Sequence, residues 1–153
     1  MHNHITVKIK FLPHSSPGEN GLEYATSGSA GVDLKAWIQE KEITLAPGQR
    51  YPFPAGVAVE IAQPSVAGFI FSRSGLGTKQ GLVVSQGVGV IDPDYRGEII
   101  VSILNSSSEQ RTVARGQRIA QLIFMPWFRA CFEEVFELST TVRGAGGFGH
   151  SGE

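Results

Sequence analysis

Short apolar runs separated by glycine and proline recur along the whole sequence, and they constrain the fold more than any other feature. Several runs alternate apolar with polar residues, as half-buried strands do. We predict strands in residues 5–11, 31–37, 42–45, 56–61, 67–71, 81–84, 110–113, 118–125 and 131–138, and within the apolar runs 82–91 and 99–104. Roughly ten short strands indicate an all-β fold, either a barrel or a jelly roll.

The composition limits what such a fold can do. The chain has 153 residues, enough for one domain with a real core. Its formal net charge of −1 does not favour binding to nucleic acid or to an anionic membrane. Cys131 is the only cysteine, which excludes an internal disulfide and leads us to expect a reducing, cytoplasmic location. The longest apolar run near the end, residues 122–128, is too short to span a bilayer.

The C-terminal end differs from the rest of the chain. We predict a β-barrel domain over residues 1–139 and a tail over residues 140–153. The tail holds five glycines and a single large apolar side chain, Phe148. It cannot offset its ordering entropy alone, so we expect it to be mobile without a partner. Elsewhere, only residues 74–80 could form a short helix, with Ser74 as its N-cap.

Residues 87–100 read Gly-Val-Gly-Val-Ile-Asp-Pro-Asp-Tyr-Arg-Gly-Glu-Ile-Ile, with apolar runs on both sides of a polar connection. Asp before Pro and a closing Gly are typical of a turn between strands, so we predict a hairpin here. Asp92 would then lie where a strand stops, with its carboxylate free to face a cavity. Unpaired backbone groups at the mouth could read the edge of a flat ring. Alternatively, Asp92 merely caps the turn.

Two further segments have the residue types that bind phosphate. Residues 72–77 follow a strand and open the predicted helix, so free backbone N–H groups would lie beside the guanidinium of Arg73. A capped surface turn explains that segment equally well. In the tail, glycine N–H groups and Arg143 could hold an anion while Phe148 stacks on a base. A plain disordered tail is the alternative.

Two polar residues interrupt apolar strands, and each needs a partner. Gln121 could bind a ligand or an ordered water, and Asp33 could pair with an arginine or serve a ligand. The scattered histidines and the lone cysteine do not predict a zinc site. Any Mg²⁺ is expected to arrive on the oxygens of a phosphorylated substrate.

Taken together, five segments resemble, in order, the motifs of the trimeric deoxyuridine triphosphate nucleotidohydrolases, the dUTPases. They are residues 30–36, 73–84, 89–98, 115–126 and 143–152. The resemblance implies a β jelly roll and a homotrimer with sites shared between subunits. It implies hydrolysis of dUTP to dUMP and pyrophosphate, which limits uracil incorporation into DNA and supplies dUMP for dTMP synthesis. The implied cofactor is Mg²⁺, bound mainly through the substrate triphosphate.

The resemblance also assigns roles to individual residues. Asp92 matches the residue that activates the water attacking the α-phosphorus, and Tyr95 matches the one that packs on deoxyribose and excludes a 2′-hydroxyl. Asp33 matches a residue that contacts Mg²⁺ only through water, so no direct metal ligand is expected. The matched substrate-binding positions are Arg73, Ser74, Gly75 and Gln121 for phosphate, Gln86, Val90, Ile91 and Ile100 for the base, and Arg143, Phe148, Gly149 and Ser151 in the closing tail.

The sequence departs from the family pattern at Gln86, where many bacterial relatives have asparagine. The dCTP deaminases share the fold but use a glutamate at the position of Ser102 and an arginine at that of Thr78, so a deaminase is not favoured. A catalytically silent regulatory trimer is a further alternative. The intact Asp92 and Tyr95 argue against it.

Overall fold

The computed structural model describes residues 4–15 and 21–147, and this part of the chain consists of strands and one short helix. In chain order the elements are β1 (Val7–Phe11), β2 (Val32–Lys35), β3 (Glu42–Leu45), β4 (Arg50–Pro54), β5 (Val57–Ile61), β6 (Val66–Ser72), α1 (Ser74–Gln80), β7 (Leu82–Val84), β8 (Gly89–Ile91), β9 (Ile100–Asn105), β10 (Arg111–Ala114) and β11 (Arg118–Pro126). The predicted all-β fold with one short helix is confirmed. No helix in these described ranges is long and apolar enough to cross a membrane.

The strands form four small antiparallel sheets. The largest has the order β2-β11-β6-β8, and a three-stranded sheet has the order β4-β9-β7. The strand pairs β1-β5 and β3-β10 complete the arrangement. Because strands distant in sequence are neighbours in space, residues from β2, β6 and β11 share one surface.

The core follows from alternation along the strands. In β2, Val32 and Leu34 are buried while Asp33 and Lys35 are only partly so. Phe53 and Leu122 are completely buried at the centres of their strands. An apolar interior of this kind is the main favourable term in folding. It leaves the polar residues of the same strands on the outer faces.

Helix α1 covers the predicted residues, Ser74–Gln80, but its N-cap lies one residue earlier than predicted. Arg73 has an extended backbone, with φ −79° and ψ 127°, and is itself the N-cap, without a capping side-chain hydrogen bond. The prediction that Ser74 caps the helix is therefore wrong, since Ser74 is the first helical residue. The helix ends at Gly81, whose positive φ of 68° lets its N–H reach the carbonyl of Gly77.

Two strand predictions are also wrong. Strand β4 was not predicted, and it contains Pro52 and Pro54, which lack the N–H that a central strand needs. The structure accommodates both prolines because β4 lies at the edge of its sheet. Conversely, residues 131–138 form no strand and are exposed throughout. They find no neighbouring strand within the described part of the chain.

The predicted hairpin at residues 87–100 is not formed by β8 and β9. Strand β8 pairs with β6, whereas β9 pairs with β4 and β7 in another sheet. The connection from Asp92 to Ile99 therefore crosses between sheets. Asp92 lies immediately after a strand, as predicted, but the unpaired backbone groups near it are not those at the mouth of a hairpin.

Candidate active site

A polar cleft of about 280 Å³ lies beside the N-terminal end of α1. The predicted phosphate-binding residues Arg73, Ser74, Gly75 and Gln121 all line it, together with Leu76, Lys79 and Gln80. Sequence positions almost fifty residues apart are thus brought to one place. Backbone N–H groups at the start of the helix and two cationic side chains make this cleft suited to an anion.

Sheet register explains why these residues meet. Strand β11 lies between β2 and β6, and Gln121 is opposite Asp33 on one side and Phe71 on the other. Arg73 directly follows the end of β6. The amide of Gln121 and the guanidinium of Arg73 therefore reach the cleft from adjacent strands.

Asp33 fixes the guanidinium of Arg73. Arg73 donates from Nε to Oδ1 of Asp33 at 2.9 Å, and Arg118 donates from Nη1 to Oδ2 at 3.3 Å. The carboxylate is only 13% exposed, whereas the side chain of Arg118 is 55% exposed. Of the two interpretations that the sequence left open for Asp33, the structure contains the arginine pairing.

Arg118 and Lys79 contribute to this region although the sequence analysis did not single them out. In a regular strand Arg118 would face away from Gln121, because the two are three residues apart. The register of β11 against β2 shifts between Arg118 and Ala120, and such a bulge re-aims the side chain. For Lys79, the helical spacing from Gly75 was the available signal, since residues four apart share a helix face.

Asp92 begins the loop that leaves β8. It is exposed, and the described part of the chain provides no hydrogen-bond partner for its carboxylate. A turn closes behind it, with the N–H of Tyr95 donating to the carbonyl of Asp92 at 3.1 Å. The Asp92 side chain is thus available to a ligand or to water.

Tyr95 folds back over the same loop. Its hydroxyl donates to the carbonyl of Glu98 at 2.9 Å. A Cβ on Gly97 would lie 2.4 Å from that hydroxyl, so only glycine leaves room for the ring in this position. Tyr95 remains 42% exposed and offers ring surface to a ligand.

Of the predicted base-reading residues, Val90 and Ile91 lie on the edge strand β8, whereas Ile100 begins the central strand β9 of the other sheet. Strand β8 is the last strand of its sheet, and the side chains of Val90 and Ile100 are exposed while Ile91 is buried. Gln86 is exposed, and the Ser85 hydroxyl donates to its side-chain oxygen at 3.1 Å. In the described part of the chain β8 pairs only with β6, so its outer edge offers the backbone donors and acceptors that recognition of a flat polar ring requires.

The described part of the tail does not contact this cleft. Arg143 donates from Nε to the carbonyl of Gly146 at 2.9 Å and closes a local turn. Phe148, Gly149 and Ser151 lie outside the described residues. The predicted contribution of the tail to the site therefore stays a prediction.

An all-β protein with a cleft suited to an anion and a separate exposed carboxylate has the features of a phosphate-processing enzyme. A sequence model of the dUTPase family matches residues 20–152 of the chain. The deoxyuridine 5′-triphosphate nucleotidohydrolase of Desulfitobacterium hafniense is 46% identical over 150 residues, covering 98% of each chain. The chain belongs to the dUTPase family, and it is an enzyme of the nucleotide hydrolase class.

Solved structures agree with this assignment. A dUTPase of Staphylococcus bacteriophage 80alpha with dUpNHpp superposes with a TM-score of 0.83 at 25% identity, covering 97% of this chain and 99% of that one. A dUTPase of phage phi11 of S. aureus, described with a coordinated structural Mg(II) ion, has a TM-score of 0.75 at 21% identity and covers 88% and 99%. The latter likeness concerns the fold alone.

Proposed function

We propose that the protein hydrolyses dUTP to dUMP and pyrophosphate, with Asp92 as the general base. The cleft that gathers Arg73, Gln121 and the start of α1 is the observation that supports this most directly, since it suits a triphosphate. In a cell, the reaction would limit uracil incorporation into DNA and supply dUMP for dTMP synthesis. The lone exposed Cys131 is consistent with a cytoplasmic location.

In the proposed chemistry, Asp92 removes a proton from a water that attacks the α-phosphorus. The bond between the α-phosphorus and the bridging oxygen to the β-phosphorus breaks, and pyrophosphate leaves. The exposure of Asp92 and its lack of a described hydrogen-bond partner support this role, because a base must be free to accept a proton. Phosphoryl chemistry of this kind needs positioning and charge neutralisation rather than a covalent intermediate.

The remaining residues bind and position the nucleotide. Arg73, Ser74, Gly75 and Gln121 hold the phosphates, and backbone groups near Val90, Ile91 and Ile100 read uracil beside Gln86. Tyr95 packs on deoxyribose and excludes a 2′-hydroxyl. The tail, residues 140–153, closes over the nucleotide through Arg143, Phe148, Gly149 and Ser151.

Sheet geometry supports a site shared between subunits. Strand β8 runs antiparallel to β6, with Ile91 opposite Gly68, so Asp92 leaves at the end of β6 that is remote from Arg73. Arg73 follows Gly68 by five residue steps of extended chain, which is about 17 Å. A base so far from the phosphate cleft of its own chain favours a site in which another subunit provides Asp92.

The exposed arm, defined here as residues 127–138, supports a homotrimer. Its apolar side chains include Phe128, Phe132, Phe136 and Leu138, all at least 86% exposed in the single chain. A soluble monomer rarely leaves so much contiguous apolar surface in water. Burial of the exposed arm against neighbouring copies of the chain would remove this apolar surface from water.

We propose that Mg²⁺ is bound through the oxygens of the triphosphate. In the described ranges, no three His, Cys, Asp or Glu side chains group as a metal site. Both oxygens of Asp33 already accept from arginines, which makes direct ligation unfavourable and leaves room only for a water-mediated contact. When bound, Mg²⁺ would neutralise phosphate charge, and Arg73 would orient the same group.

Two experiments test the proposal. Pyrophosphate release should be fastest with dUTP and much slower with dCTP, dTTP and UTP. In ¹⁸O-labelled water, the label should enter dUMP rather than pyrophosphate, as attack on the α-phosphorus requires. Label found in pyrophosphate would exclude the proposed site of attack.

The shared site is tested by refolding two inactive variants together. Asp92→Asn and Arg73→Ala should each be nearly inactive alone. In an equal random mixture, roughly a quarter of sites would combine an intact base with an intact arginine. Activity that does not return in verified hybrid trimers would contradict a site built from two subunits.

A further inference from the structure

Glu98 anchors the end of the loop that carries Asp92 and Tyr95. Its Oε1 accepts from the N–H of Gly56 at 2.8 Å and lies 2.8 Å from Nε2 of His14. A carboxylate only accepts, so Nε2 of His14 is the donor in this contact. The side chain of Glu98 is 21% exposed, and two donors from distant segments restrict its movement.

The backbone carbonyl of the same residue holds Tyr95. The hydrogen bond from the Tyr95 hydroxyl to this carbonyl restrains the ring, and so does its close approach to Gly97. Because Tyr95 is 42% exposed, little protein packing replaces these restraints. The position of the Glu98 carbonyl therefore sets the position of the tyrosine hydroxyl.

His14 is itself held in place. Arg115 donates from Nη2 to the carbonyl of His14 at 2.8 Å and from Nη1 to the carbonyl of Ile38. The guanidinium carbon of Arg115 lies 5.1 Å from the ring centroid of Trp37, which is buried. A continuous series of contacts thus leads from Arg115 through His14 and Glu98 to Tyr95.

We propose that Glu98 is a positioning residue for Tyr95 and so determines how strictly the enzyme selects deoxyribose over ribose. The inference rests on the proposed role of Tyr95 in excluding a 2′-hydroxyl. Without the carboxylate anchor, the end of the loop loses its attachment to Gly56 and His14. The Tyr95 ring then gains freedom, and a ribose is excluded less strongly.

The test compares kcat/KM for dUTP and UTP within single preparations. Their ratio does not depend on the fraction of folded enzyme, so a destabilised variant still gives a valid answer. Glu98→Ala should lower the ratio roughly 3- to 10-fold, the effect expected for one lost hydrogen bond. Glu98→Gln should retain most of the ratio, since its amide oxygen still accepts from Gly56.

A double-mutant cycle with Tyr95→Phe tests the path of the effect. Tyr95→Phe removes the hydroxyl that bonds to the Glu98 carbonyl, so Glu98→Ala should lower the ratio no further in that background. Glu109→Ala is the matched control, because Glu109 also pairs with a cationic side chain, Arg111, but is not part of this loop. Its ratio should equal that of the wild type.

Two outcomes would overturn the inference in distinguishable ways. An unchanged ratio in Glu98→Ala, with a lowered ratio in Tyr95→Ala, removes Glu98 from sugar selection and leaves the proposed role of Tyr95 intact. An unchanged ratio in Tyr95→Ala removes the proposed sugar role itself. Equal losses from Glu98→Ala in the wild-type and Tyr95→Phe backgrounds would show that Glu98 does not act through the hydroxyl.

Discussion

Arg73 donates from Nε to Oδ1 of Asp33 at 2.9 Å, and this contact ties the cleft beside α1 to β2, an edge strand of the largest sheet. Arg73 follows β6 and Asp33 lies on β2, with β11 between the two strands. The carboxylate therefore holds the guanidinium in a fixed orientation from two strands away. Preorganised charge of this kind is worth most when phosphate charge is being redistributed.

We predict that Asp33→Asn lowers kcat/KM for dUTP by about 10-fold or more, because an NH2 group that cannot accept replaces one of the two oxygens that bind the arginines. Steady-state pyrophosphate release measures the effect. Glu109→Gln, which alters an exposed glutamate paired with Arg111, should leave kcat/KM unchanged. An Asp33→Asn enzyme with normal kcat/KM would show that the orientation of Arg73 is unimportant.

Asp92→Asn should lower kcat by about 10²–10⁴-fold, since an amide cannot take the proton of the attacking water. The proposed phosphate and uracil contacts do not involve the Asp92 carboxylate, so the affinity for dUpNHpp, measured by calorimetry, should stay close to that of the wild type. Near-normal turnover in this variant would remove Asp92 from the mechanism.

Tyr95→Ala should bring kcat/KM for UTP closer to that for dUTP, because the ring proposed to exclude a 2′-hydroxyl is gone. Competition between the two nucleotides in one reaction measures the ratio directly. The change should come chiefly from improved use of UTP. Equal losses with both nucleotides would instead indicate a general contact with substrate.

Gly97→Ala should weaken the preference for dUTP over UTP although it removes no hydrogen-bonding group. The new Cβ would meet the Tyr95 hydroxyl at 2.4 Å, so the ring must move. Gly28→Ala is the matched control, because a Cβ there has no neighbour within 4 Å. We expect the ratio of kcat/KM for dUTP to that for UTP to fall in Gly97→Ala but not in Gly28→Ala. An unchanged ratio in Gly97→Ala would show that the position of the Tyr95 ring does not determine the choice of sugar.

The tail is predicted to act on a site whose Asp92 belongs to another subunit. The test refolds full-length Asp92→Asn together with wild type truncated after Val142, each nearly inactive alone. Roughly a quarter of the sites in an equal mixture would pair an intact base with an intact tail. Activity should return on mixing. No recovery, with hybrid trimers confirmed by mass, would place the tail over its own subunit.

Much of the fold could be predicted from alternation alone. Strand β3 lies where the pattern predicted it, and β6 differs by one residue at each end. Alternation failed at β4, where prolines are acceptable only because of an edge position that no local pattern reveals. It failed again at residues 131–138, where the pattern suits a strand but the partner is absent from the described chain. Pairing is a property of the whole topology, so β8 and β9 could not be assigned to different sheets in advance.

In the candidate site, too, some residues could be predicted from the sequence and others could not. Arg73, Ser74, Gly75 and Gln121 were predicted as phosphate-binding residues, and the structure brings them to one cleft. Arg118 was missed because its orientation depends on a bulge, and bulges leave little trace in residue spacing. Glu98 was missed because its partners lie 42 and 84 residues away.

The exposed arm has a consequence for the life of the newly made chain. If its phenylalanines are covered only by other copies, stability cannot be separated from protomer concentration. A chain released when few other copies are present would leave the phenylalanines of the exposed arm uncovered, and chaperones and proteases recognise such apolar segments. Steady-state abundance would then rise more steeply than the rate of synthesis, and low expression would yield disproportionately little enzyme.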